Sequence, residues 1–187
     1  MLNPLMARKH RIEFPGAVYH VINRGNYRKD LFAERGSARS FEEALFEAVQ
    51  RSAWKLFAYT IMTNHYHLCI KTPEPNLVAG MKWLDGTFAC RFNRFRGEAG
   101  HVFQGRYKAI PILGHEYLLK VVDYIHLNPV KAGICSLEKL SVFPSSSYRE
   151  YWMNHPREGL ARGSVLGLLG LPDSREGMSE YAKHLKT

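Results

Sequence analysis

Cysteine is scarce in this chain, with three in 187 residues: Cys69, Cys90 and Cys135. They are odd in number, far apart and free of any Cys-x-x-Cys spacing, which excludes a disulfide framework and a zinc ribbon. We expect buried thiols. Cys69 has a second reading, because on a regular strand it would share a face with His65 and His67 and could offer a thiolate to zinc. Acidic residues are also short, 17 Asp and Glu against 26 Lys and Arg, which leaves a net charge of +9. That excess favours a polyanion, or less often an anionic membrane surface, as partner. No apolar run approaches the ~20 residues of a membrane helix. The basic residues scattered through 1–12 surround no apolar signal core, and the expectation is a soluble, cytoplasmic, nucleoid-associated protein. Internal repeats are absent, while a hydrophobic share of 45% is enough to bury one core.

The hydrophobic period changes along the chain. Residues 17–23 are β-rich and end at the turn-forming Asn23-Arg24-Gly25-Asn26. Over 37–55, Phe41, Leu45, Phe46, Val49 and Ala53 recur at three- and four-residue steps, predicting an amphipathic helix capped by Ser37 or Ser40. Residues 56–62 and 66–71 read as a hairpin around Thr63-Asn64. A second helix follows over 76–96, with Leu77, Met81, Leu84, Phe88, Phe92 and Phe95 inward and Gly80 and Gly86 weakening it. Strand character returns over 102–112, and a third helix over 115–127 is stopped by Asn128-Pro129. Strand, helix, hairpin, helix, strand, helix is an α+β order close to the ferredoxin-like arrangement, an antiparallel sheet with helices packed on it. We therefore expect one domain over 1–136. Residues 137–187, turn-rich near 143–148 and helical near 164–169 and 174–186, form a C-terminal extension folded back on it.

His65 and His67 are two residues apart at the start of a strand, so both imidazoles point to one face and can converge on a metal. Tyr124 and Asn128 are one helical turn apart and share a face as well. Two neutral imidazoles and an amide oxygen suit Mg²⁺ or Mn²⁺, with open positions for a phosphate. Among ten tyrosines only Tyr124 combines a helical setting with a metal-capable side chain one turn on. A phenol attacks only after losing its proton, and Lys120, one turn earlier, is placed to assist.

Three blocks then carry a family resemblance: Met62-Thr63-Asn64-His65-Tyr66-His67-Leu68, Phe103-Gln104-Gly105-Arg106-Tyr107-Lys108, and Asp123-Tyr124-Ile125-His126-Leu127-Asn128-Pro129-Val130-Lys131-Ala132-Gly133. Together they resemble the REP-associated tyrosine transposases, a branch of the single-tyrosine HUH transposases. The resemblance spans roughly residues 16–133, and Ser146-Ser147-Tyr148 is similar to the family's C-terminal extension. It implies a ferredoxin-like HUH domain that cuts and rejoins single-stranded DNA next to a hairpin. His65 and His67 would be metal ligands. Tyr124 would be the nucleophile, leaving a 5′-phosphotyrosine and a free 3′-hydroxyl. Related enzymes often carry glutamine four residues after the tyrosine; Asn128 stands there, one methylene shorter. The resemblance leaves open a monomer or a homodimer with shared sites.

Arg24, Arg28, Arg91, Arg94, Arg106, Lys108 and Lys131 are the candidate DNA contacts, interleaved with aromatics able to stack on unpaired bases. Two other functions compete. A catalytically idle hairpin-DNA binder would tolerate loss of Tyr124 or the histidines. A metal hydrolase using activated water would not need Tyr124 and would want a carboxylate at the metal.

Overall fold

The computed structural model describes residues 12–186, so the basic segment 1–11 lies outside the described residues. Four strands and three long helices follow the expected order: β1 (Val18–Arg24), α1 (Arg35–Arg51), β2 (Lys55–Ile61), β3 (His65–Lys71), α2 (Leu77–Arg96), β4 (Lys108–Ile112) and α3 (His115–Lys131). The sheet runs β2-β3-β1-β4, and every neighbouring pair is antiparallel. Strand alternation splits its faces. Tyr19, Val21, Tyr59, Tyr66 and Leu68 turn to α1 and α2, where Phe41 meets Tyr66 at 4.5 Å between ring centroids and Phe88 at 5.3 Å. His20, Ile22, His65 and His67 turn to the opposite face, against α3. This is a ferredoxin-like α+β fold.

Several local expectations change under tertiary contact. The strand foreseen over 102–112 pairs regularly only from Lys108, with one isolated bridge between Gly25 and Phe103. Phe103 leaves the ladder because its ring enters the core, 5.9 Å from Tyr66 and 5.8 Å from Phe88. Helix α3 does not stop before Asn128 but runs on to Lys131 with Pro129 inside. A proline so near the end withdraws a single donor, and both residues are buried, so packing holds the turn. Neither Ser37 nor Ser40 caps α1; Glu34 stands at the N-cap, and the Ser37 hydroxyl donates to the Leu31 carbonyl. Gly80 proves necessary, since a Cβ there would lie 2.1 Å from the Trp54 ring, whereas Gly86 faces open space. Phe95, expected inward, is 73% exposed: the last turn of α2 ends beside the start of α1, where Arg96 meets Glu34 at 2.8 Å. Cys69 is buried as expected, but Cys135 is half-buried and Cys90 exposed.

After Gly133 the chain forms a 3₁₀ segment (Leu137–Val142), α4 (Ser147–Tyr151), α5 (Arg162–Leu168) and α6 (Arg175–His184). The turn-rich 143–148 contains the start of α4, capped by the Ser146 hydroxyl accepting from the Tyr148 amide. These residues cover the free edge of β2: the Ile61 amide donates to Ser145 O at 2.8 Å, Leu56 to Gly159 O at 2.9 Å, and Ala161 to Leu56 O at 2.8 Å. An otherwise open ladder is thereby closed. A buried polar chain ties the same segment to α3. Ser147 Oγ takes the Tyr59 amide proton and lies 2.9 Å from His126 Nε2; His126 Nδ1 lies 2.9 Å from the Tyr181 oxygen; the Tyr181 hydroxyl donates to Asp123 Oδ1 at 2.9 Å. Each group is satisfied when Ser147 donates to His126 and His126 Nδ1–H donates to Tyr181. Asp123 and His126 are thus held by the extension, and the residue between them that faces the histidines is Tyr124.

Candidate functional site

Period two on β3 sets His65 opposite Arg24 and His67 opposite Ile22 on β1, and the two imidazole centroids are 5.1 Å apart. In each ring Nδ1 is engaged. His65 Nδ1 meets Asn64 Oδ1 at 2.8 Å, and His67 Nδ1 meets His20 Nε2 at 3.0 Å. With those contacts made by Nδ1–H, both Nε2 atoms keep their lone pairs, the arrangement a metal ligand needs. From α3, the Asn128 amide reaches His67 Nε2 at 3.5 Å. A cation bound there would favour the amide turned with Oδ1 toward it. Tyr124 stands beside them, its ring 5.5 Å from His67 and 5.9 Å from His20, and 39% exposed. Lys131, two turns after Tyr124 rather than one turn before it, places its ammonium 5.1 Å from the Tyr124 ring centroid. Lys120 is simply exposed.

Electrostatics keep the imidazoles neutral. Burial, then the neighbouring His20, His65 and Arg24, push His67 down to about 3. Burial and Lys108 lower His20 to about 4, and burial with Arg24 lowers His65. Cys69 does share this face, opposite His20, but burial pushes its thiol up, so the thiolate needed for zinc is disfavoured. Among the described residues no group of three or more His, Cys, Asp or Glu is arranged to hold a metal. The donor set that fits one is two imidazole nitrogens and the Asn128 oxygen, a combination compatible with Mg²⁺ or Mn²⁺. Asp123, the nearest carboxylate in sequence, is turned away to Tyr181 and His184.

The candidate DNA contacts divide. Arg24 and Lys108 lie on the histidine face of the sheet, Arg28 follows in the loop after β1, Arg106 precedes β4, and Lys131 borders Tyr124. Arg91 and Arg94 sit on α2, across the sheet from Tyr124; Arg91 is held by both carboxylate oxygens of Glu47 at 2.9 Å. The site residue that sequence reasoning missed is His20. Its strand was legible, but its pairing with β3, which brings it to His67, depends on register between segments 47 residues apart.

Comparison with known proteins bears on the fold and the family. A solved structure of a REP-associated tyrosine transposase bound to a REP hairpin is similar with a TM-score of 0.64 and 20% identity, over 86% of this chain and 93% of that one. Two others are a transposase-like protein from Deinococcus radiodurans (TM-score 0.45, 20% identity, 59% of this chain and 89% of that one) and tRNA(His) guanylyltransferase from Saccharomyces cerevisiae (TM-score 0.48, 10% identity, 94% and 74%). No curated protein matches the sequence. The first likeness shows a shared fold. The family described as "Transposase IS200 like" matches residues 14–128, from before β1 through Asn128. With more than half of its length covered by that match, including every strand and α3 as far as Asn128, the chain belongs to the IS200-like transposase family.

Proposed function

We propose that this transposase cleaves and rejoins single-stranded DNA next to a hairpin through a 5′-phosphotyrosine on Tyr124, with His65, His67 and Asn128 holding Mg²⁺ or Mn²⁺. The observation that carries the reading is the Tyr124 ring 5.5 Å from His67, a buried neutral histidine. When bound, the divalent ion supplies Lewis-acid polarisation of the scissile phosphate. The Tyr124 oxygen forms the new bond to phosphorus as its proton leaves. The bond to the 3′-oxygen breaks, and that oxygen takes up a proton as a free 3′-hydroxyl. Attack of a 3′-hydroxyl on the phosphotyrosine reverses the step and restores the phenol. Arg24, Arg28, Arg106, Lys108 and Lys131 neutralise the strand's phosphates. The hold of residues 137–187 on α3, through the contacts of His126 and Asp123 with Tyr181, supports a catalytic domain that ends near residue 136 with an extension packed on it.

His20 acts in this reading as a positioning residue. Accepting from His67 Nδ1–H, it would leave the Nε2 lone pair free to hold the ion. His20→Ala should weaken Mn²⁺ binding about 10- to 100-fold, the usual cost of removing such a support, read by calorimetry on the DNA-free protein. Equal affinity in the variant sinks the role.

The function itself is tested by incubating the protein with labelled hairpin DNA bearing a single-stranded flank, with Mg²⁺ or Mn²⁺. A protein–DNA adduct that survives denaturant is expected, and EDTA should prevent it. Cleavage without an adduct would favour an activated-water hydrolase, and binding without cleavage an idle hairpin binder.

A further inference from the structure

The loop that leaves β1 contains two successive non-glycine residues in the left-handed region, Tyr27 at φ 51° and Arg28 at φ 58°. Side chains other than Gly, Asn and Asp rarely adopt it, and such backbone persists only when its surroundings impose it. Here they do. The Gly25 amide donates to Asn64 O and the Asn26 amide to Val102 O, each at 2.8 Å; the Arg28 amide closes on Gly25 O at 3.0 Å and the Lys29 amide on Asn26 O at 2.9 Å. The Tyr27 amide is taken by Asn26 Oδ1 at 3.1 Å. Packing gives no return for this conformation, because the Tyr27 side chain is 93% exposed. A rigid loop therefore holds an aromatic ring out in solvent.

Its position relates it to the site. Asn64 joins the two: its Oδ1 meets His65 Nδ1 at 2.8 Å, and its Nδ2 donates to Arg28 O at 3.4 Å. Arg24 and Arg28 flank the ring in sequence, supplying charge for phosphates. Beside it opens a cavity of about 490 Å³ with Leu31, Phe92 and Val102 among its walls, Asn26 and His101 adding polar groups, and the Lys29–Glu98 ion pair, 2.9 Å, in its lining. Apolar walls, polar edge groups and an unburied aromatic flanked by arginines suit a flat, hydrogen-bonding base on a charged strand. We propose that Tyr27 stacks on an unpaired nucleobase of the single-stranded DNA that runs past His65, holding the strand in place for Tyr124. This rests on the proposed function above and names a binding residue for it.

The experiment measures equilibrium binding in EDTA, so it does not depend on cleavage. Fluorescence anisotropy compares a labelled oligothymidylate with a blunt duplex of equal length for the full chain and for Tyr27→Ala, Tyr27→Gly and Tyr27→Phe. The first two should lose about 5- to 150-fold in affinity for the single strand, the range of one base–aromatic stack, with an unchanged salt slope because no charge is lost. Tyr27→Phe should bind as wild type, and duplex binding should not move. Tyr27→Gly should also raise the Tm, because glycine relieves the left-handed residue; a variant more stable yet weaker in binding separates the ring from the fold. Wild-type affinity in Tyr27→Ala overturns the proposal, as does an equal loss on duplex, or a change of oligomeric state by light scattering with DNA affinity intact. A wild-type protein that forms no covalent adduct but shows the Tyr27 loss would defeat the proposed function and leave this inference standing.

Discussion

Tyr124→Phe should abolish the denaturant-resistant adduct and lower strand cleavage and joining by at least about 10⁴-fold, as removal of a covalent nucleophile does. Its stability should stay within ~0.5 kcal/mol of wild type, since only the hydroxyl of a partly exposed residue is lost. The ring contacts with His67, His20 and the Lys131 ammonium survive the change, so DNA affinity should survive as well. Tyr117, also on α3 and 45% exposed, is the matched control. Tyr117→Phe should form the adduct at the wild-type rate. Gel electrophoresis after denaturation, with a binding titration in parallel, separates the outcomes. An undiminished adduct in Tyr124→Phe would move the nucleophile to another residue. Loss of both adduct and binding would show that the hydroxyl serves recognition.

Acid should destabilise the metal-free protein well before its carboxylates titrate. Burial pushes His126 and His67 to about 3 and His20 to about 4, against about 6.5 in an unfolded chain. The unfolded state therefore binds protons first as pH falls. The contribution of these groups is whole above about pH 6.5 and is lost progressively toward pH 4 to 3, where the folded form protonates too. Each fully engaged histidine adds a slope of up to about 1.4 kcal/mol per pH unit, so the three together approach ~4 kcal/mol per unit. Urea midpoints at pH 7, 6 and 5 in EDTA measure it, with a steep fall between 6 and 5 expected. His126→Asn should shallow that slope by roughly a third, because the neutral amide retains a partner for Ser147 without a proton to gain. A flat profile between pH 7 and 5 would mean that the imidazoles are not held neutral by burial.

Much of the architecture was legible because it is written in near neighbours. The three-to-four-residue spacing of Phe41, Leu45 and Val49, and the alternation through His65, Tyr66 and His67, report the local backbone that buries them. The Tyr124–Asn128 pairing is local in the same sense, since one helical turn is enough to align the two. Even there, the proline rule that ended α3 at Leu127 was overridden by burial of Asn128 and Pro129, and Asn128 faces the site only because the helix continues.

What lay beyond the sequence is whatever depends on two distant segments meeting. His20 was an ordinary strand residue until pairing with β3 brought it to His67. Arg91 meets Glu47 of α1, a pairing that no local pattern encodes. The polar chain from Ser147 through His126 and Tyr181 to Asp123 joins residues up to 58 apart, and the left-handed turn that exposes Tyr27 is imposed by Asn64 and Val102. Periodicity by itself determined the element order, and the histidine, tyrosine and asparagine spacings determined which groups can share a face. Tertiary structure alone decided how those faces meet, because strand register, ion pairing and burial are set by long-range contacts that no local pattern encodes.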